Sequence, residues 1–191
     1  MQKGNYLKEI LRSENTIFTL QNVALLWRES NPNLVKFRLN YYAKTGQLIR
    51  VRKGVYVKNK DYDRLELGTK IFTPSYISLE TVLLKEGLIF QFHSDIFLAS
   101  YLTRSIKIDG QIYNYRKIKQ EILIDPKGII QDSTYSIASK ERAFLDTLYL
   151  NKDYYFDNLK SMDWDKVFEL LKIYNNKRMN KLVNQIYKNN K

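Results

Sequence analysis

Cysteine is absent from this 191-residue sequence, histidine occurs once (His93), proline three times and glycine seven times. Without cysteine there are no disulfides, no thiolate zinc ligands and no thiol nucleophile. A single histidine excludes sites built on several histidines and leaves little room for a Ser-His-Asp triad. No run of about 18 apolar residues occurs, the length a membrane-spanning helix needs. The start, Met1-Gln2-Lys3-Gly4-Asn5-Tyr6, carries no apolar stretch of signal-peptide type. A soluble, cytoplasmic protein with no membrane partner is expected. There is also no Gly-rich phosphate loop and no HExxH-like pair, so neither a cofactor nor a bound metal is expected.

What the chain does have is apolar residues, 44% of the total, and a formal net charge of +12. The apolar share argues against disorder. Biased codon usage could produce the charge, but would spread it evenly. Residues 1–60 carry 12 Lys+Arg against three acids, Glu9, Glu14 and Glu29. Residues 61–171 carry 14 against 17, and residues 172–191 carry six against none. Basic character concentrated at the two ends points to a polyanion partner.

The first sixty residues read as helices followed by a hairpin. Leu7, Ile10 and Leu11 mark a short amphipathic helix, and Thr16-Ile17-Phe18 a short extended piece. Thr19 caps a second helix that carries Val23, Leu26 and Trp27 inward. Asn31-Pro32 starts a third, with Gly46 as its stop. At about 100° per residue, Val35, Leu39 and Tyr42 of that helix form an inner stripe. Asn33, Lys36, Phe37, Asn40, Tyr41 and Lys44 lie opposite. Their amides, cations and rings suit base edges, phosphates and thymine methyls. An ordinary solvated face could have this composition, and the residues after Gly46 decide between the two.

Leu48-Ile49-Arg50-Val51-Arg52 alternates, Lys53-Gly54 turns and Val55-Tyr56-Val57 returns, which predicts a β-hairpin. Ile49 and Val51 would point one way, Arg50 and Arg52 the other. Its tip gathers Arg50, Arg52 and Lys53 for phosphate or minor-groove contact. Three helices and a basic hairpin are the order of a winged helix-turn-helix, whose third helix enters the major groove while the wing follows the backbone. The predicted class is therefore α+β: a winged helix-turn-helix DNA-binding domain over residues 1–60, then residues 61–191 as a mixed α/β domain with antiparallel hairpins and C-terminal helices.

In that second part, a short helix is expected from Arg64 to Phe72, and Ser78 is expected to cap a helix that stops at Gly87. Strands are expected from Ile96 to Tyr115, with a hairpin turn at Asp109-Gly110. Ile122-Leu123-Ile124 and Gly128-Ile129-Ile130 read as shorter strands. Ser139 and Asp163 cap later helices. A last helix offers Lys177, Arg178 and Lys181 for a second DNA contact.

Two blocks here carry a resemblance. They are Pro74-Ser75-Tyr76-Ile77-Ser78-Leu79-Glu80 with Gly87-Leu88-Ile89, and Ile137-Ala138-Ser139-Lys140-Glu141-Arg142-Ala143-Phe144-Leu145-Asp146-Thr147-Leu148-Tyr149-Leu150. With Arg52-Lys53-Gly54-Val55-Tyr56-Val57, they resemble the AbiEi family of antitoxins, from abortive-infection type IV toxin–antitoxin systems of phage defence. The resemblance spans about residues 15–150. It implies a transcriptional repressor whose N-terminal domain binds double-stranded DNA repeats in its own operon promoter. It also implies a C-terminal antitoxin domain that opposes a nucleotidyltransferase toxin without a stable complex. It brings no catalytic residues.

Enzyme chemistry finds little support. Glu141 and Asp146, five apart on a helix, point about 140° apart and cannot share one metal; structural roles fit both. Asp125-Pro126-Lys127 after Asp109 has an acid-x-Lys outline of metal-dependent nucleases, but proline sits badly in a central strand, and a loop is expected. His93 reads as a surface or hydrogen-bonded histidine. The alternatives kept are a nuclease with a winged-helix targeting domain and a stand-alone repressor.

Overall fold

The computed structural model describes residues 6–190; residues 1–5, most of the segment read for a signal peptide, and Lys191 lie outside the described residues. The chain is of mixed α and β class and divides into two compact units, Met1–Ile71 and Phe72–Lys191. No helix among the described residues is long and apolar enough to cross a membrane.

In the first unit, α1 (Tyr6–Arg12), β1 (Ile17–Thr19), α2 (Leu20–Trp27), α3 (Pro32–Lys44), β2 (Ile49–Arg52), β3 (Val55–Val57) and α4 (Arg64–Ile71) follow in order. Local chemistry sets the boundaries. The Thr19 side chain accepts from Asn22 N at the start of α2, and Arg28 closes that helix at a left-handed φ of 51°. Asn31 accepts from Asn33 N and Leu34 N, with Pro32 in the first turn of α3. Past the end of α3, Gly46 takes φ 74°, a backbone region that costs glycine little. Val23, Trp27, Val35 and Leu39 pack with Ile10, Phe18, Leu48 and Tyr56 into one core. Each such aliphatic side chain contributes about 1.5–3 kcal/mol on burial.

Two expectations need correction. Leu26 does not face inward but is 37% exposed. Leu20, Val23, Ala24 and Trp27 fill the inner stripe of α2, and Leu26 lies about 100° beyond Trp27. The hairpin also does not alternate strictly. The three strands pair antiparallel in the order β1-β3-β2, with Arg50 opposite Tyr56 and Arg52 opposite Val55, so Val51 is the extra residue of a β-bulge. A bulge breaks the two-residue period and bends the strand.

Helix α4 groups with this unit, past the point near residue 60 where the charge changes sign. The reason is Glu66, fully buried. Its carboxylate accepts from Thr16 N at 2.8 Å, Thr16 Oγ1 at 2.6 Å and Ile17 N at 3.3 Å, and pairs with Lys70 one turn on. A buried charge is stable only when its acceptor sites are filled in this way.

The second unit is built on a six-stranded sheet of β4 (Ser75–Ile77), β5 (Ile96–Ser100), β6 (Arg104–Ile108), β7 (Gln111–Lys117), β8 (Ile129–Gln131) and β9 (Ser136–Ala138). Their order is β6-β7-β5-β4-β9-β8, with β5/β7 and β4/β9 parallel and the other pairs antiparallel. Asp109 (φ 51°) and Gly110 (φ 81°) turn the β6–β7 hairpin, the two positive φ values of a type I′ turn. The helices are α5 (Glu80–Lys85), α6 (Gln120–Leu123), α7 (Lys140–Leu150), α8 (Trp164–Leu171) and α9 (Lys177–Asn189), with a 3-10 turn at Lys172–Tyr174. Ser139 and Asp163 cap α7 and α8 as expected.

Ile122-Leu123-Ile124 is not a strand. Ile122 and Leu123 end the one-turn helix α6 and are both buried, while Ile124 is exposed. Apolar content without periodicity could not separate the two states. Nor does Ser78 cap α5. Its hydroxyl donates to Asp146 Oδ2 at 2.8 Å, and the buried Leu79 takes the position before α5 at φ 56°. Such a conformation costs a non-glycine residue about 1–3 kcal/mol.

That bond belongs to a buried polar network at the centre of the unit. Every residue of α7 from Glu141 to Leu148 is buried. Asp146 also accepts from Tyr76 OH at 3.0 Å and Tyr174 OH at 2.6 Å. Arg142 Nε stands 3.5 Å from Asp146 Oδ1, an ion pair without a hydrogen bond. Arg142 donates through Nη1 to Lys127 O at 2.9 Å and through Nη2 to Ile122 O at 2.5 Å and Tyr76 OH at 3.2 Å. Burial, and then the Asp146 charge, hold the Tyr76 and Tyr174 hydroxyls well above the usual phenol range. Both therefore keep their protons and donate.

Removing one partner of this pair leaves the other charged and buried, so Asp146→Ala should lower stability by ~3–5 kcal/mol. Glu141 is different, because its partner Lys166, at 3.2 Å, is 44% exposed. Glu141→Gln should cost about 1 kcal/mol or less. Urea denaturation of the two variants checks the contrast.

Candidate nucleic-acid interface

Within the first unit, α3 holds two unlike faces apart. Val35 and Leu39 are buried and Tyr42 packs beside them, with its ring edge-on to Trp27. On the other side Asn33, Lys36, Tyr41 and Lys44 are exposed and Phe37 is 70% exposed. Asn40 is half-buried. An exposed phenylalanine on a helix that already has an inner stripe takes no part in the core.

A cleft of about 940 Å³ runs between α3 and β2. It brings together Phe37, Asn40, Tyr41 and Lys44 of the helix with Arg50 of the hairpin, over an apolar floor that includes Leu48 and Ile49. Asn33, Lys36, Arg52 and Lys53 do not line it. Of these, Asn33, Lys36 and Lys53 are exposed and Arg52 is half-buried. The lining holds two cations and no acid, so the cleft is suited to an anionic, partly aromatic partner.

One polar chain crosses beneath it. Tyr56 is 2% exposed, and its hydroxyl donates to Asn40 Oδ1 at 2.8 Å. Burial raises the Tyr56 pKa, and the positive charge of Arg50 offsets part of that rise. Reading Val55-Tyr56-Val57 only as a strand overlooks this. The available signal is chemical: a buried tyrosine hydroxyl normally needs a partner, and Asn40 and Arg50 are the polar groups facing it.

The three basic residues of the last helix separate. Lys177 and Lys181 are exposed on α9. Arg178 Nη2 donates to Leu148 O at 3.3 Å and Tyr149 O at 3.2 Å, closing carbonyls at the end of α7.

The acidic candidates have local duties. Asp125 Oδ1 accepts from Lys127 N at 2.9 Å, a turn closed by its own side chain. Asp109 forms the β6–β7 turn, Glu141 pairs with Lys166 and Asp146 with Arg142. Among the described residues no three of His, Asp and Glu are grouped to hold a metal ion. His93 is half-buried in a loop, its ring edge-on to Phe97 at 5.9 Å.

If Phe37 serves only the surface, Phe37→Ala should change stability by less than about 0.5 kcal/mol. Val35→Ala, two residues earlier on the buried face of the same helix, should cost more than ~1 kcal/mol. Paired urea melts separate the two. A scan against protein-family models finds no match to this chain and a search of curated proteins finds none, which leaves the geometry of α3 and the hairpin to carry the assignment.

Proposed function

We propose that the first unit is a winged helix-turn-helix and that the protein is a repressor that binds double-stranded DNA. The observation that carries this reading is the cleft in which Phe37, Asn40, Tyr41 and Lys44 of α3 meet Arg50 of the hairpin, with no acid in its lining. No acidic residue lies between Glu29 and Asp61, a stretch that holds eight Lys+Arg. Within it α3 presents Asn33, Lys36, Phe37, Asn40, Tyr41 and Lys44, and the hairpin presents Arg50, Arg52 and Lys53. The helix has the width to enter a major groove, where amides and aromatics read bases and lysines meet phosphates. The hairpin cations fit the flanking backbone. Lys177 and Lys181 offer a second phosphate contact, with Arg178 partly committed to α7.

The blocks that resemble AbiEi antitoxins extend the proposal. The DNA is then a set of repeats in the promoter of the protein's own operon, and the second unit opposes a nucleotidyltransferase toxin encoded beside it, without a stable complex. The protein acts in the cytoplasm and is not an enzyme. Footprinting on the upstream DNA tests the first part. Restored growth on co-expression with the neighbouring toxin tests the second, and repression without rescue would leave a stand-alone repressor.

Neutralising Arg50, Arg52 and Lys53 together to alanine should weaken binding to all duplexes alike. The slope of log affinity against log salt should flatten by about 0.9 for each phosphate that is no longer neutralised. Fluorescence anisotropy over a salt series measures both, and an unchanged slope would remove the hairpin from the interface.

A further inference from the structure

The polar chain under the cleft has a direction. Tyr56 lies on β3 directly opposite Arg50, and its hydroxyl donates to Asn40 Oδ1 at 2.8 Å. An arginine side chain has donors only. With Arg50 on one side, the proton of the tyrosine hydroxyl has a single place to go, the oxygen of Asn40. This fixes which way the amide is turned. Oδ1 faces the protein, and Nδ2, on the other arm of the amide, faces away from Tyr56. Among the described residues Asn40 Nδ2 makes no hydrogen bond, and Asn40 lines the cleft beside Lys44 and Arg50.

An asparagine free to rotate recognises adenine by using both arms at once, accepting from N6 and donating to N7. One lone pair of Asn40 Oδ1 is taken by the Tyr56 hydroxyl, and that bond holds the oxygen turned toward Tyr56. What it can present outward is a pair of N–H donors. Guanine offers two adjacent acceptors, N7 and O6, at the same edge. Adenine would set its own N6 donor against a donor and leave one polar group unpaired, which is the costly arrangement.

We propose that Tyr56 is a positioning residue that holds Asn40 as a donor-only reader, so that the α3 surface selects guanine over adenine at the base pair Asn40 meets. This rests on the DNA-binding reading of α3 and names the base feature that surface recognises.

Selection from a randomised duplex library tests it, using the full chain as wild type, Asn40→Ala and Tyr56→Phe. Asn40→Ala identifies the position that depends on Asn40, and wild type should hold guanine there. Tyr56→Phe keeps the ring in the core and releases Oδ1, so preference at that one position should move toward adenine by roughly tenfold in relative affinity. A merely structural role would lower affinity at all positions and leave the base ratio unmoved. Adenine at the Asn40-dependent position in wild type overturns the proposal, and does so even if Tyr56→Phe fails to fold by circular dichroism. A folded Tyr56→Phe whose preferences equal those of wild type also overturns it. Salt-dependent binding of wild type to the unselected pool is read separately, and its absence would refute the DNA reading itself.

Discussion

The Asp146 carboxylate is the point on which the second unit is organised. It has no exposure to water, and three hydroxyls, two from Tyr76 and Ser78 and one from Tyr174, converge on it beside the guanidinium of Arg142 one turn earlier in α7. Tyr76 brings β4, Ser78 the segment that enters α5, Tyr174 the 3-10 turn, and Arg142 ties in the carbonyls of Ile122 and Lys127. A sheet of mixed direction, with several strands only three residues long, has limited backbone pairing to set its register. Specific polar contacts at its centre supply what the pairing lacks. Desolvation pushes the Asp146 carboxyl up, while Arg142 and the hydroxyl donors pull it down. A network of this kind is costly when half-satisfied, so these elements come together as a set.

The first unit uses the same device on a smaller scale. Glu66 holds the backbone of Thr16 and Ile17 and the hydroxyl of Thr16, which attaches α4 to β1. Tyr56 does the equivalent for the surface, joining α3 to the hairpin through Asn40. In each case a strand and a helix distant in sequence are linked by a single buried polar side chain. Helix α3 and the hairpin therefore have a defined spacing within the unit.

Much of this is legible in the sequence where the determinant is local. Asn31-Pro32, Ser139, Asp163 and Asp109-Gly110 each announce a boundary through their own side chain or backbone, and the structure uses them so. The exposed face of α3 likewise comes from a 3.6-residue period. The parts that are not legible depend on distant partners. Ser78 has the chemistry of a cap, yet its acceptor lies 68 residues on, in Asp146. Tyr56 reads as one residue of an alternating strand, and nothing in that alternation reveals Asn40. The Val51 bulge, too, leaves no mark in a pattern that alternates cleanly as written.

That bulge has a consequence for how the molecule behaves in company. With β3 in the middle of its sheet, β2 is an outer strand, and a straight outer strand invites the strand of another molecule to add to it. The extra residue at Val51 interrupts the row of backbone donors and acceptors midway, and Arg50 and Arg52 flank the break with charge. Two copies brought together at this edge would meet as like charges. Arg50 and Arg52, on either side of the extra residue, thus work against copies stitching their sheets together.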